Sequence, residues 1–298
     1  MKTLIVIGGP TASGKTALAT ELAQALHTCI ISADSRQCYT EMTIGVAKPS
    51  ADELSIIPHY FINSHSIHDN VSTGIFEKYA LDSLEKIFQQ SDYAICVGGT
   101  GLYIKALCEG LDEMPAIDTN VLKEVELNYT LNGLKWLQQR VLETNALGSD
   151  HKEFDNPARL MRALIFKLST GMSVQQFKKG AKKERPFSIQ SFAIACDRVA
   201  LYKNIEVRVD TMMKNGLLQE AETLFTNRHL KCTNTVGYTE LFDVIKGDCR
   251  LDTAVEKIKQ HTRNYAKRQI TWFRNQGEYV WLRKEEIINE IYKTGIAQ

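Results

Sequence analysis

The sequence predicts an α/β fold: a parallel sheet core interrupted by a helical insertion. Three observations carry this. Short continuous apolar runs ("LIVI" at 4–7, "CIISAD" ending at Asp34, "YAICVGG" at 93–99) alternate with stretches of helical periodicity at 17–26 and 74–90. Runs without polar alternation are what strands of a parallel sheet covered on both faces look like. Each of these runs leads into a turn rich in glycine or polar residues, where ligands of such sheets gather. From 117 to 186 the strand signals vanish and helical periodicity takes over. The domain pattern is therefore a core, first part, at 1–116, a helical insertion at 117–186, and the second part of the core with C-terminal helices at 187–298.

The first turn is the most informative. Gly9-Pro10-Thr11-Ala12-Ser13-Gly14-Lys15-Thr16 fits G-x-x-x-x-G-K-[ST], between an apolar strand and an apolar-periodic helix. Successive backbone N–H groups, the positive end of the helix that begins near Gly14 and the Lys15 charge make an anion cradle. The Thr16 hydroxyl is placed to hold Mg²⁺ on a bound phosphate. The core is thus P-loop NTPase-like, although the loop names a ligand class and no reaction.

The second strand ends at Asp34, followed by Ser35, Arg36 and Gln37. A carboxylate there can hold Mg²⁺, act as a general base, or simply cap a turn. Asn and Gln pair bidentately with adenine edges, so the run suits recognising a nucleobase and removing a proton from it. The third turn, "VGGTGLY" at 97–103, has paired glycines that let backbone approach a ligand and places the Thr100 hydroxyl there. A plain strand-to-helix turn reads the same way.

In the insertion, "LKEVELNYTLNGLKWLQQRVLETNA" and "PARLMRALIFKLSTG" read as helices. Its end, "FKKGAKKERPF", reads as a mobile linker, a polyanion contact or a solvated hinge. "IQSFAIACD" resumes a strand. In the helix that follows, Arg208 lies on the side of Ile205 and Met212, where a partly buried guanidinium needs an anion: a diphosphate or an internal carboxylate. The stretch "KIKQHTRNYAKRQITWFR" at 257–274 holds Arg263, Lys267 and Arg268 among six cations and no acid, with Tyr265, Trp272 and Phe273 interleaved. That pattern suits a phosphate-backbone surface; a solvated helix with an aromatic core stripe also fits it. "EYVWL" is a last strand and a helix starts at Lys284.

At 298 residues and 44% hydrophobic, the chain can bury a large core, and a net charge of +1 gives no global pull toward nucleic acid or membrane. Seven scattered cysteines suggest a reducing compartment rather than a disulfide frame. His229, Cys232, Cys249 and His261 lack zinc-site spacing. The N-terminal apolar run is too short for a signal peptide, so the expectation is a cytoplasmic protein.

Taken in order, "GPTASGKT", "ISADSRQCY", "IGVAKP", "VGGTGLYIKAL", "DNPARLMRAL", "DRVALYKNIEVRVDTM", "TVGYTEL" and "NYAKRQITWFR" resemble the tRNA dimethylallyltransferases over nearly the whole chain. The resemblance implies transfer of a dimethylallyl group from its diphosphate to the exocyclic N6 amine of the adenosine 3′ to the anticodon, in tRNAs reading codons that begin with U. It implies that Gly9–Thr16 hold the diphosphate, with Mg²⁺ on Thr16, that Asp34 is the general base, and that Ser35, Arg36 and Gln37 surround the target adenine. Thr100 would line the reaction channel, Arg208 would meet the diphosphate, and Arg159 and Arg162 would grip the anticodon stem-loop. A monomer of bacterial type is implied, since the zinc finger of eukaryotic members is absent. Residues 59–73 fit the family pattern loosely and carry no assignment. A small-molecule P-loop kinase, a free-nucleotide prenyltransferase of cytokinin type and a catalytically silent RNA-binding protein are the rival readings.

Overall fold

In a computed structural model, residues 2–148, 154–177, 180 and 182–293 are described. The chain divides into two compact units, Leu111–Lys183 and the remainder. In the larger unit, β1 (Thr3–Gly8) leads through the P-loop into α1 (Lys15–Ala25) and β2 (Ile30–Ser32). Then come α2 (Ala51–Ile56), β3 (His59–Tyr60), α3 (Thr73–Phe88), β4 (Tyr93–Val97) and α4 (Gly101–Glu109). The smaller unit holds α5 (Thr119–Glu143), α6 (Pro157–Thr170) and α7 (Val174–Phe177). The chain returns with β5 (Ser188–Ile194), α8 (Arg198–Lys214), α9 (Leu217–Leu224), α10 (Tyr238–Lys246) and α11 (Leu251–Asn275), and closes with β6 (Val280–Leu282) and α12 (Lys284–Lys293).

The six strands form one sheet in the order β3-β2-β4-β1-β5-β6, and every pairing is parallel. Parallel neighbours require crossovers, and the crossovers cover both faces with helices. Alternate residues of β1 then point to opposite apolar layers. Leu4 and Val6 join one cluster with Ile31, Cys96 and the α3–α4 and α8–α11 side chains, while Ile5 and Ile7 join Leu18, Leu22 and Ile287 on the other. All four are fully buried, which is why the run reads as continuous hydrophobics rather than as an alternation.

Residues 59–73, which carry no assignment from the sequence, are structural in part, and His59 and Ile62 also line the cavity described below. Phe61 is fully buried at φ 63° and meets Phe76 and Tyr79 edge-on at 5.0 and 5.2 Å. Helix α2 goes unannounced by periodicity, though a signal for it is in the sequence: Ser50 and Glu53 form a capping box, with Ser50 Oγ accepting from the Glu53 N–H at 3.2 Å. In the smaller unit, Asn156 caps α6 and Pro157 takes its first position. Gly133, at φ 70° and ψ −164°, breaks α5 into two helical pieces.

The basic stretch at 177–187 is corrected at one residue. Arg185 belongs neither to a linker nor to a polyanion surface: its side chain is 9% exposed and pairs with Glu77 at 2.7 Å. The guanidinium also donates to the carbonyls of Ala106 and Leu107 at 2.8 and 2.9 Å, in the last turn of α4, where orphan carbonyls and the helix dipole favour a cation. Lys178, Lys179 and Ala181 of this stretch lie outside the described residues. Among the described residues, no helix is long and apolar enough to cross a membrane.

Removing one partner of a buried ion pair strands the other charge. Arg185→Met is therefore expected to lower the unfolding free energy by about 3–5 kcal/mol in urea titrations. A loss below about 1 kcal/mol, the range of surface pairs, would show that Arg185 and Glu77 gain nothing from each other.

Candidate active site

The carboxyl ends of β1, β4 and β2 are adjacent in the sheet, so the turns that follow them meet at one edge. A cavity of about 490 Å³ opens there, lined by residues of all three turns and by α8 and α11 side chains including Arg208, Tyr265 and Gln269.

The P-loop is built as its sequence requires. Gly14 sits at φ 83° and caps α1 without a side chain, so the N–H groups of the first turn are left for a ligand. A Cβ on Gly14 would come within 2.1 Å of the Lys284 ammonium, so α12 packs a further cation against the loop. Ser13 Oγ and Lys15 Nζ both donate to the Pro10 carbonyl, at 2.8 and 2.6 Å. Arg208 donates from Nη1 to the Thr11 hydroxyl at 3.3 Å. The internal carboxylate near Arg208 is Asp34, which acts on it without ion-pair contact: among the described residues neither Arg208 nor Lys15 makes an ion pair. Burial and the Arg208 charge pull Lys15 down to about 7, against weaker opposition from Asp34.

Asp34 serves two purposes at once. Its Oδ1 accepts from the backbone N–H groups of Arg36 and Gln37, at 2.8 and 3.3 Å, so the turn-capping role is real. Its Oδ2 has no partner among the described residues and is left for a ligand. The Ser35 N–H donates to Thr100 Oγ1 at 3.1 Å, which locks the β2 turn to the β4 turn. Arg36 keeps a buried Nε without a partner, a donor held for an acceptor from outside the chain.

One inference from residue type is corrected here and a second is narrowed. Gln37 does not present its amide to the cavity for bidentate pairing. Its Oε1 accepts from Ser32 Oγ at 3.1 Å, and its Nε2 donates to the carbonyls of Val46 and Ala47 at 3.2 and 3.0 Å. It holds the 46–47 loop against β2, and pairing with an adenine edge would require breaking those bonds. The glycines of "VGGTG" are required by the protein's own packing, although Gly98 and Gly99 also line the cavity. A Cβ on Gly98 would lie 2.1 Å from the Ala33 carbonyl, on Gly99 2.1 Å from Gln269 Nε2, and on Gly101 2.1 Å from the Trp272 ring. They admit β2 and α11.

Helix α11 also departs from expectation. Compensating acids come from α8, where Glu206 pairs with Arg263 at 3.0 Å and Asp210 with Lys259 at 2.9 Å, and from α11's own Glu256, 3.2 Å from Lys259. Phe273 is buried and Trp272 packs over Gly101, so two of the three aromatics are core. Lys257, Lys267, Arg268 and Arg274 remain exposed, with Lys267 6.0 Å from the Tyr202 ring and Arg268 5.7 Å from the ring of Tyr265. Arg159 and Arg162 lie on α6 in the smaller unit, both exposed. The residue that sequence reasoning missed is Gln269, 6% exposed, whose Oε1 accepts from the Thr11 N–H at 2.8 Å and whose Nε2 donates to the Gly99 carbonyl at 2.9 Å. Its polar side chain on the apolar stripe of an amphipathic helix was the available signal.

The depressed Lys15 implies proton uptake on anion binding. The empty site holds Lys15 neutral above about pH 7, whereas a bound polyanion favours the ammonium. Diphosphate affinity is therefore expected to fall as pH rises from 7 toward 9, by up to about tenfold per unit beyond the ligand's own ionisation. Calorimetry in buffers of different ionisation heat should find about one proton taken up at pH 8. Lys15→Arg, always charged, should lack that proton, and equal uptake by both proteins would disprove the linkage.

The sequence model of the IPP transferase family matches residues 37–276. A tRNA dimethylallyltransferase of Christiangramia forsetii is 42% identical over 97% of this chain and 96% of its own length, and one of Flavobacterium johnsoniae is 41% identical over 98% and 96%. Among solved structures, a tRNA isopentenylpyrophosphate transferase of Bacillus halodurans superposes with a TM-score of 0.73 at 30% identity, covering 100% of this chain and 97% of that one. With family match, relatives and fold in agreement, the chain belongs to the IPP transferase family.

Proposed function

We propose that this enzyme transfers a dimethylallyl group from dimethylallyl diphosphate to the N6 amine of the adenosine 3′ to the anticodon, in tRNAs that read codons beginning with U. It acts in this reading as a cytoplasmic monomer. The observation that carries the proposal is the pairing of an anion cradle rich in cations with one unclaimed carboxylate oxygen, across a single cavity. A phosphoryl-transfer enzyme needs the cradle as well, but family membership and near-full-length likeness to tRNA dimethylallyltransferases favour the prenyl donor.

The chemistry follows from these groups. An adenine amine is a weak nucleophile because its lone pair is delocalised into the ring, so position and a base are both required. The N6–C1 bond forms as the C1–O bond to diphosphate breaks. The amine proton passes to Asp34 Oδ2, and the electron pair leaves with the diphosphate. Lys15, Arg208 and the first-turn N–H groups of α1 meet that developing charge. Thr100 holds the Asp34 turn through Ser35. The target base reaches the cavity by leaving its stack, and Tyr265 offers it a ring face at the mouth.

Magnesium fits the donor set. Among the described residues no group of three or more His, Cys, Asp or Glu could cage a metal, and Mg²⁺ commonly rests on substrate phosphates, water and one or two protein oxygens. Thr16 Oγ1, in the cavity wall, would supply a protein oxygen to such a set. When bound there, the ion neutralises leaving-group charge.

Asp34→Asn retains Oδ1 as the turn cap and loses the base. Transfer at saturating substrates should fall about 10²–10⁴-fold, measured by mass spectrometry of tRNA nucleosides, while tRNA affinity holds. A drop of only a few-fold would remove Asp34 from the proton transfer. On the RNA side, Lys267→Glu combined with Arg268→Glu should weaken tRNA binding and reduce the slope of log K against log salt by about one for each phosphate no longer neutralised. Arg263→Glu should cost less, because Arg263 already spends part of its charge on Glu206. An unchanged slope in the double variant would take α11 out of the interface.

A further inference from the structure

Gln269 is a polar side chain on the buried stripe of α11, between Ala266 and Phe273. A buried amide is costly unless its donors and acceptor are used. Its two bonds run to two different turns: one to the Thr11 N–H in the P-loop, the other to the Gly99 carbonyl after β4. The approach to Gly99 is close enough that a Cβ there would lie 2.1 Å from Nε2.

Each end of this bridge continues into a working group. On the P-loop side, the hydroxyl of the same Thr11 accepts from Arg208. On the other side, Thr100 follows Gly99 and accepts from the Ser35 N–H, and Ser35 follows Asp34. The connected path from the cradle to the carboxylate thus runs Arg208, Thr11, Gln269, Gly99–Thr100, Ser35–Asp34. Within that path, Gln269 is the side chain that joins the loop after β1 to the loop after β4. We infer that Gln269 sets the separation between the diphosphate cradle and Asp34, and is a positioning residue for prenyl transfer. This rests on the prenyl-transfer reading above.

The requirement is geometric. The allylic carbon must stand close to the amine while its diphosphate stays in the cradle, and a misplacement of about 1 Å costs on the order of 10²-fold in rate. Without the bridge, Lys15 and Arg208 still draw off the diphosphate, but the amine no longer faces the carbon. Water then takes its place: the C1–O bond to diphosphate breaks, a new C1–O bond to water forms, and the water proton goes to solvent, giving free diphosphate and a prenyl alcohol. The mark of a missing positioning residue is diphosphate released without RNA prenylation.

The test uses the full chain with Mg²⁺, dimethylallyl diphosphate and unmodified tRNA, scoring released diphosphate and prenylated adenosine in the same samples. Gln269→Met keeps the volume and removes both hydrogen bonds. Transfer kcat should fall about 10²-fold, with KM for each substrate within about threefold and diphosphate released in several-fold excess over product. Gln269→Glu keeps an acceptor for the Thr11 N–H but cannot donate to Gly99, and should uncouple in the same direction; it carries the test if Gln269→Met does not fold. A one-to-one ratio in the folded variants, whether kcat is kept or falls together with unfolding free energy, overturns the inference and leaves Gln269 a packing residue. A wild-type chain that prenylates no tRNA overturns the proposed function itself, and this inference with it.

Discussion

Among the described residues, Lys15 and Arg208 face one cavity without an ion-pair partner between them, and much of the molecule is arranged around that excess charge. Two cations brought together away from water repel and lose hydration, so the empty site is electrostatically unfavourable. The depression of Lys15, caused first by burial and next by Arg208, expresses that cost. Asp34 relieves it only from a distance, since the carboxylate spends Oδ1 on its own turn. A polyanion settled among the first-turn N–H groups of α1 removes the conflict. The site is therefore strained toward a ligand of high negative charge, and an α8 helix that places Arg208 at the loop is as necessary as the loop itself.

The fold was legible because its rules are local. Continuous apolar runs announced β1, β2, β4 and β5, and the loss of such runs announced the helical insertion. Helix α2 and strand β3 escaped because they are six and two residues long, too short for periodicity to register. The cradle was legible for the same local reason, as eight consecutive residues specify it. Relations across the chain were not. Nothing in the spacing of "DSRQ" shows that Gln37 is consumed by Ser32, Val46 and Ala47, and nothing in "KIKQHTRNYAKRQITWFR" shows that acids on α8 answer its cations. Residue type reports what a side chain can do, and only the packed neighbours decide what it has left to do it with.

Helix α11 shows how one element serves two ends. Its buried stripe carries Phe273, and a Cβ on Gly8 of β1 would lie 2.6 Å from that ring. Trp272 is seated on Gly101 in the same way. These approaches bring the helix so near the sheet that only glycine fits opposite, which is one reason the turn after β4 is glycine-rich. The opposite side keeps Lys267 and Arg268 in solvent. A helix fixed that tightly to the turns of the site and charged on its free face would, on the proposed reading, hold bound RNA at a fixed distance from the carboxylate.

That rigidity bears on Asp34. A general base that was only a mobile side chain would have to be ordered during each turnover, at a cost in side-chain entropy. Here two backbone N–H groups hold Oδ1, and the Thr100 hydroxyl holds the next residue, so the direction of Oδ2 is settled before any substrate arrives. The turn-cap and base readings of this aspartate, which compete when only the sequence is read, are compatible in one arrangement: on the proposed mechanism, the cap aims the base. Preorganisation of this kind matters most where the nucleophile is poor, because a weak amine reacts only if carbon, nitrogen and proton acceptor are aligned together.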